Sequence, residues 1–391
     1  MTNAAIHAQN LIRCRSVTPE EGGALRYLEQ ELSAAGFACH KLVFSEPGTP
    51  DVENLYARIG EGRPHICFAG HTDVVAPGDE ASWTHPPFGG EIESGVLYGR
   101  GAVDMKGAVA ASLSAVLEYL RAKPANFRGS ISFLVTADEE GPAVNGTKKV
   151  VDWLSARAEQ PDCCILGECT SEVFVGDTIK IGRRGSLSAQ LRVRGVQGHS
   201  AYPQKSKNPL PPLIKALTLL KAKPLDEGSE HFQPSNLEIT SIDTGNPTHN
   251  IIPAAASARF NIRFNDRHTG DSLKAWIEDQ VRAAMSGTGI DYELSYEPVA
   301  GSFVTGPSGF VKWLSTAVRA ETNQEPALST AGGTSDARFI KDLCPVAELG
   351  LLNATAHKVN ECVPLADLEM LTRIYLRFLH STFGDTPLGT H

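Results

Sequence analysis

Residues 65–75 read HICFAGHTDVV, and the way this stretch is built and ended decides the fold. Its apolar run does not alternate with polar residues, so a strand made from it needs cover on both faces. The run stops at His71, and Asp73 follows two residues later. Polar groups placed directly after a buried strand need partners. SISFLVTA (130–137) and CCILGE (163–168) are built in the same way and also end in acids. Between them lie MKGAVAASLSAVLEYLRAK (105–123) and KKVVDWLSARA (148–158), both with helical spacing. Strand–helix alternation with continuously apolar strands predicts an α/β layer with a largely parallel sheet up to about residue 182.

The pattern changes near residue 185. SLSAQLRVRG (186–195) puts Leu187, Ala189, Leu191 and Val193 on one face. ARFNIRFN (258–265) does the same with Ala258, Phe260, Ile262 and Phe264. Such alternation predicts a sheet covered on one side only. The order strand 187–194, helix 208–222, strand 236–242, strand 257–264, helix 271–285, strand 291–297 is that of a small ferredoxin-like α+β unit. Helical patterns return in GFVKWLSTAVRAET (309–322) and LADLEMLTRIYLRFLHSTF (365–383). The expected organisation is therefore one domain from 1–182 and 298–391, with a second, 183–297, inserted into it.

Composition agrees with two domains. The chain has 391 residues, 41% hydrophobic and 21% charged, and a single core stops growing beyond about 250–300 residues. A net charge of −9 argues against a nucleic-acid or anionic-membrane partner, though a local basic pocket remains open. The eight cysteines form no C-x-x-C pair. The start, MTNAAIHAQNLIRC, has no signal-peptide pattern, and no apolar run reaches transmembrane length, so a cytoplasmic location is expected.

Ligands of open α/β sheets bind beyond the carboxyl ends of the strands. The polar residues expected there are His71 and Asp73, then Asp138, Glu139 and Glu140, then Glu168. Asp104 stands in GRGAVDMKG before the long helix, and His357 lies in LLNATAHKVNE. Taken alone, Asp104 fits a helix N-cap, Glu139 and Glu140 fit solvated charges, and His357 fits a surface loop. Taken together, two histidines and several acids on one edge are what divalent cations require, because that many acids would otherwise repel and take up protons. Imidazole with carboxylate and no thiolate suits zinc, cobalt or manganese. The donors are too many for one tetrahedral zinc and suit two ions sharing a carboxylate. One of Glu139 and Glu140 would bind metal while the other takes a proton from water. No G-x-S-x-G, H-E-x-x-H, G-x-x-x-x-G-K or complete G-x-G-x-x-G motif is present.

The ordered set GHTDVV, GRGAVDMKG, TADEEG, GECTS and NATAHKVNE resembles the dinuclear zinc aminoacylase and carboxypeptidase family. IGRRGSL, GHSAYP and GGTSDARFI add to the likeness, which runs from about residue 54 to about residue 380. The resemblance implies two zinc ions per subunit, the second position open to cobalt or manganese. His71 and Glu168 would hold one ion, Glu140 and His357 the other, and Asp104 would bridge them with a cis Asp104–Met105 peptide. Asp73 would bond the far nitrogen of His71, and Glu139 would be the general base and then acid. The inserted domain would dimerise the chain and offer His199 to the partner's site as an oxyanion donor. Arg183, Ser186, Asn250, Arg263, Gly333 and Thr334 match positions that bind substrate carboxylates. His249 stands where a second Asn is expected beside Asn250. The implied reaction is hydrolysis of a small N-succinyl diamino acid. Related deacylases, such as those acting on N-acetylornithine or other N-acyl amino acids, and carboxypeptidases are the alternatives. A non-catalytic binding homologue is disfavoured by the intact Glu139 and ligand set, and a metal-dependent phosphatase or nuclease by the lack of phosphate-directed loops.

Overall fold

The computed structural model describes residues 2–122, 128–306 and 308–384. Lys123, the last residue of the expected helix after Asp104, lies outside these, as do residues 1 and 385–391 of the expected first domain. The chain divides into two compact units. One comprises Met1–Gly182, Thr305–Ser329 and Ser335–His391; the other comprises Arg183–Val304 and Thr330–Thr334.

The first unit is built on eight strands: β1 (Ala38–Phe44), β2 (Val52–Glu61), β3 (His65–His71), β4 (Gly129–Thr136), β5 (Cys163–Leu166), β6 (Thr178–Lys180), β7 (Ala327–Ser329) and β8 (Val346–Glu348). They form one sheet in the order β1-β2-β4-β3-β5-β8-β6-β7. The central strands β4, β3, β5 and β8 are parallel neighbours. The β1–β2 and β2–β4 pairs are antiparallel, so the mostly parallel sheet carries an antiparallel margin. Every residue of β3 and β4 is buried, as a strand covered on both faces demands. Helix Lys106–Ala122 packs against helices Asn3–Arg13 and Leu365–Phe383. Its Ala- and Ser-rich sequence is buried on almost every side, which small side chains permit. No helix among the described residues is long and apolar enough to cross a membrane.

The second unit has a four-stranded antiparallel sheet in the order Asn236–Asp243, Ala255–Phe264, Gly185–Arg194, Asp291–Tyr296. Helices Leu210–Leu220 and Gly270–Met285 complete the β-α-β-β-α-β order. The alternating residues Leu187, Leu191, Val193, Phe260 and Ile262 are buried in one core with Leu213, Leu217, Ile277 and Val281 of the helices. The second helix starts with a capping box between Thr269 and Ser272. This unit extends past the expected boundary at 297. Backbone bonds between Ser186 and Ala300, at 2.9 and 3.1 Å, prolong the ladder. Residues 330–334 join it as well: Thr330 Oγ1 donates to His231 O at 2.6 Å, and Arg183 Nη1 to Ala331 O at 3.4 Å.

Candidate metal centre

The parallel strands end level. His71 is in register with Thr136, Ala69 with Leu166, and Leu166 with Glu348. The chain that leaves each strand therefore delivers its polar residues to one edge. His71 closes β3, Asp138 to Glu140 follow β4, Glu168 follows β5, and the loop after β8 carries His357. Asp104 arrives from the turn before helix Lys106–Ala122, and the Asp104–Met105 peptide is cis.

Asp104 stands between the two imidazoles. His71 Nε2 lies 3.3 Å from Asp104 Oδ1, and His357 Nε2 lies 3.2 Å from Asp104 Oδ2. His357 Nε2 is also 2.7 Å from Glu140 Oε1. His71 Nε2 is 3.9 Å from Glu139 Oε2 and 4.0 Å from Glu168 Oε1. In both the set His71, Asp104, Glu168 and the set Asp104, Glu140, His357, the donor atoms lie within 4.8 Å of one another. The two sets share Asp104. His71, Glu139 and Glu140 form a third such group.

The donors fit divalent cations. His71 Nε2 and Glu168 Oε1 are buried with no hydrogen-bond partner among the described residues, and buried polar atoms are ordinarily satisfied. The charge pattern points the same way. Burial, and then Glu139 and Asp104, push the Glu168 carboxyl well above its usual range. Burial pushes Glu139 up to about 8 against the pull of His71, with Asp336, Glu140 and Asp104 adding to the rise. Asp104 goes the other way: burial opposes its charge, but His357 and His71 hold it well below the usual carboxylate range. Asp104 and Glu140 raise His357 to about 10. Burial opposes a charge on His71, yet Asp104, Glu139, Asp73 and Glu168 lift its pKa well above the ordinary value. Protons are thus shared among acids and imidazoles to balance the cluster, and bound cations balance it instead by displacing them.

The expected bond from the Asp73 carboxylate to His71 is corrected by the structure. His71 Nδ1 donates to the Asp73 backbone carbonyl at 2.8 Å, while the nearer carboxylate oxygen is 3.6 Å away. The carboxylate is engaged elsewhere, its Oδ1 accepting Glu139 N at 3.2 Å and its Oδ2 accepting Glu140 N at 3.0 Å. Either acceptor fixes the same tautomer and leaves Nε2 to face the cluster. Asp138, at the end of β4, turns away and caps Val144 N and Asn145 N at 3.0 and 3.2 Å.

The other singled-out residues lie in the second unit. Ser186 and Arg263 face each other in register, and burial followed by Arg184 lowers the Arg263 pKa. Arg183 is buried, and a Cβ on Gly332 would meet its Nη1 at 2.4 Å, so the backbone approaches closely there. Gly333 and Thr334 follow. His199 is exposed on a short ladder with Ile251, beside Asn250, whose carbonyl accepts Ser200 N at 3.0 Å. His199 Nδ1 accepts Ala201 N at 3.0 Å, which leaves the proton of a neutral ring on Nε2. His249 is exposed. Three residues around the centre were not singled out from the sequence. Buried Asp336, raised to about 6 mainly by its burial, stands in GGTSDARFI, and Glu361 and Arg100 stand in the two loop motifs that carry His357 and Asp104. The only signal for them was an ionisable residue inside a motif quoted for its neighbours.

Comparison with known proteins identifies the family. Residues 67–381 match the model of peptidase family M20/M25/M40. A succinyl-diaminopimelate desuccinylase of Rhodopseudomonas palustris (strain BisB18) is 55% identical over 388 residues, 98% of this chain and 99% of that protein. The solved aminopeptidase PepT of Bacillus cereus superposes with a TM-score of 0.76 at 18% identity, over 97% of this chain and 98% of that one. A dinuclear metal-binding M20 peptidase of Bacillus subtilis gives a TM-score of 0.68 at 14% identity, over 98% of each chain. The family read from the motifs and the family matched by the model agree, and the chain belongs to peptidase family M20/M25/M40.

Proposed function

We propose that the protein hydrolyses the amide of N-succinyl-LL-2,6-diaminopimelate to succinate and LL-2,6-diaminopimelate, using two divalent cations, zinc in the first position and zinc, cobalt or manganese in the second. The observation that carries this reading is the pair of donor sets sharing Asp104, with Glu139 beside them. The name of the R. palustris relative, at 55% identity over nearly the whole chain, supports the substrate.

His71, Asp104 and Glu168 hold one cation in this reading, and Asp104, Glu140 and His357 the other. Bound there, the cations supply Lewis-acid polarisation of the amide carbonyl and acidify water. Glu139, whose Oε2 lies 3.9 Å from His71 Nε2, accepts a proton from the attacking water. The water oxygen bonds to the carbonyl carbon, leaving a tetrahedral oxyanion. The C–N bond then breaks, and Glu139 passes its proton to the departing amine. His199 of a second subunit donates an Nε2–H hydrogen bond to the oxyanion. Arg183, Arg263, Ser186, Asn250, Gly333 and Thr334 take the substrate carboxylates, for which the planar guanidinium fork is suited. The second unit forms the homodimer, and the enzyme works in the cytoplasm.

The test is a substrate comparison on protein stripped of metal by a chelator and reloaded with zinc. Succinyl-diaminopimelate is expected to be turned over far faster than N-acetylornithine or simple N-acyl amino acids. Equal turnover of all three sinks the substrate assignment, and full activity without metal sinks the mechanism.

A further inference from the structure

Glu361 is fully buried and belongs to neither donor set. Its carboxylate gathers four donors from the segment that delivers Asp104. Oε1 accepts Val103 N at 3.0 Å and Asp104 N at 3.2 Å. Oε2 accepts Gly101 N at 3.0 Å and Arg100 Nη1 at 2.7 Å. The guanidinium of Arg100, also buried, continues across to the other loop, donating to Lys358 O at 3.2 Å and His357 O at 3.4 Å. A backbone bond from Gly99 N to Glu361 O, 2.9 Å, closes the bracket. One ion pair thus ties together the two loops that place Asp104 and His357.

The chemistry of the pair is that of a template. A buried ion pair adds little stability over a well-packed apolar pair, since desolvation offsets the attraction. Here the acceptor capacity of the carboxylate goes to amides of an irregular turn that no helix or strand satisfies. His357 itself has φ +60°, a conformation that non-glycine residues adopt only where the surroundings hold it. Its loop is held at the backbone carbonyls by Arg100. By contrast, His71 closes β3 and Glu168 follows β5, so the sheet register places those two ligands without this pair.

We propose that Glu361 and Arg100 are positioning residues that set the separation of Asp104 and His357, and so govern chiefly the affinity of the ion position that uses both of these donors, with a smaller effect on the other position through the shared Asp104. The inference rests on the two-ion reading above. Outer partners of this kind affect metal affinity by about 10–100-fold.

The experiment is a calorimetric zinc titration of metal-free protein, with visible absorption of the cobalt form as a second readout, on wild type, Glu361→Gln and Arg100→Lys in parallel. Wild type that binds fewer than two ions refutes the two-ion reading itself. With two ions bound by wild type, each variant is expected to bind both ions more weakly, because both donor sets use Asp104, with one affinity falling about 10–100-fold and by more than the other, and with a changed cobalt spectrum. A lowered melting temperature with both affinities unchanged overturns the proposal, as does equal weakening of both positions. If Glu361→Gln does not fold, Arg100→Lys decides on the same criteria, because it keeps a cation opposite Glu361 while losing the fork that spans both loops. Failure of both variants to fold assigns the pair to the fold and also overturns the proposal.

Discussion

The carboxylate of Asp73 holds the backbone N–H of Glu140 at 3.0 Å, and its other oxygen holds that of Glu139 at 3.2 Å. A residue just beyond the end of β3 thereby aims both the proposed ligand and the proposed base. In Asp73→Asn one of these amides meets an NH2 group instead of an acceptor. Turnover is expected to fall about 10–100-fold at saturating zinc, with a stability loss of about 1–3 kcal/mol for the orphaned amide. Unchanged kcat with a lowered melting temperature would assign Asp73 to the fold alone.

Glu139→Gln removes the proton acceptor and keeps the shape. Turnover is expected to drop by about 10²–10⁴-fold, the usual worth of a general base. Elemental analysis should still find two metal ions per chain. Retained turnover excludes Glu139 as the base.

Gly350 has no room for a side chain. A Cβ there would lie 2.2 Å from Glu168 O and 2.5 Å from Gly167 O, both backbone atoms that cannot swing aside. Gly350→Ala is expected to cost about 2 kcal/mol or more in urea unfolding and to weaken zinc binding by displacing Glu168. Wild-type values for both would show that the strand ends yield more than close packing allows.

His65 gives a pH signature away from the centre. Its Nε2 bonds Ser132 Oγ at 2.8 Å, and burial, then Arg58, lowers its pKa to about 4 from 6.5. The unfolded chain takes up the proton first as pH falls, so the contribution is complete above pH 6.5 and is lost on descending toward pH 4. The loss amounts to about 3 kcal/mol, at 1.36 kcal/mol per unit. Urea midpoints of wild type and His65→Gln, compared between pH 7 and 4, should converge as the pH falls. Parallel curves across that window would show that His65 titrates normally.

If His199 serves the neighbouring subunit's site, His199→Ala and Glu139→Ala are each expected to be weak or inactive, yet partly active after subunit exchange. A mixed dimer then contains one site with both residues intact. No recovery in exchanged mixtures, with exchange verified by a tagged subunit, would show that each site uses residues of one chain.

Much of this was legible along the chain. The largely apolar runs of β3, β4 and β5 announce strands covered on both faces, and alternation over 186–195 and 258–265 announces a sheet covered on one. The chemistry was legible because His71, Glu139, Glu140 and Glu168 stand where those runs stop, and parallel strands bring such stops to one edge. Those features are local: they repeat every two residues or sit at one end of an element.

Only the tertiary structure decided which atoms meet. Asp73 and Glu140 are 67 residues apart, and Arg100 and Glu361 are 261 apart. No periodicity links residues at such distances. Their bonds exist because sheet register and loop closure bring irregular backbone together, and buried amides and carbonyls there must find an acceptor or donor wherever one is in reach. For the same reason the sequence named Asp73 as the partner of His71 but could not say that its carbonyl oxygen, and not its carboxylate, makes the bond. Residue types and their order determined the metal-binding chemistry; the folded backbone decided which groups hold it in place.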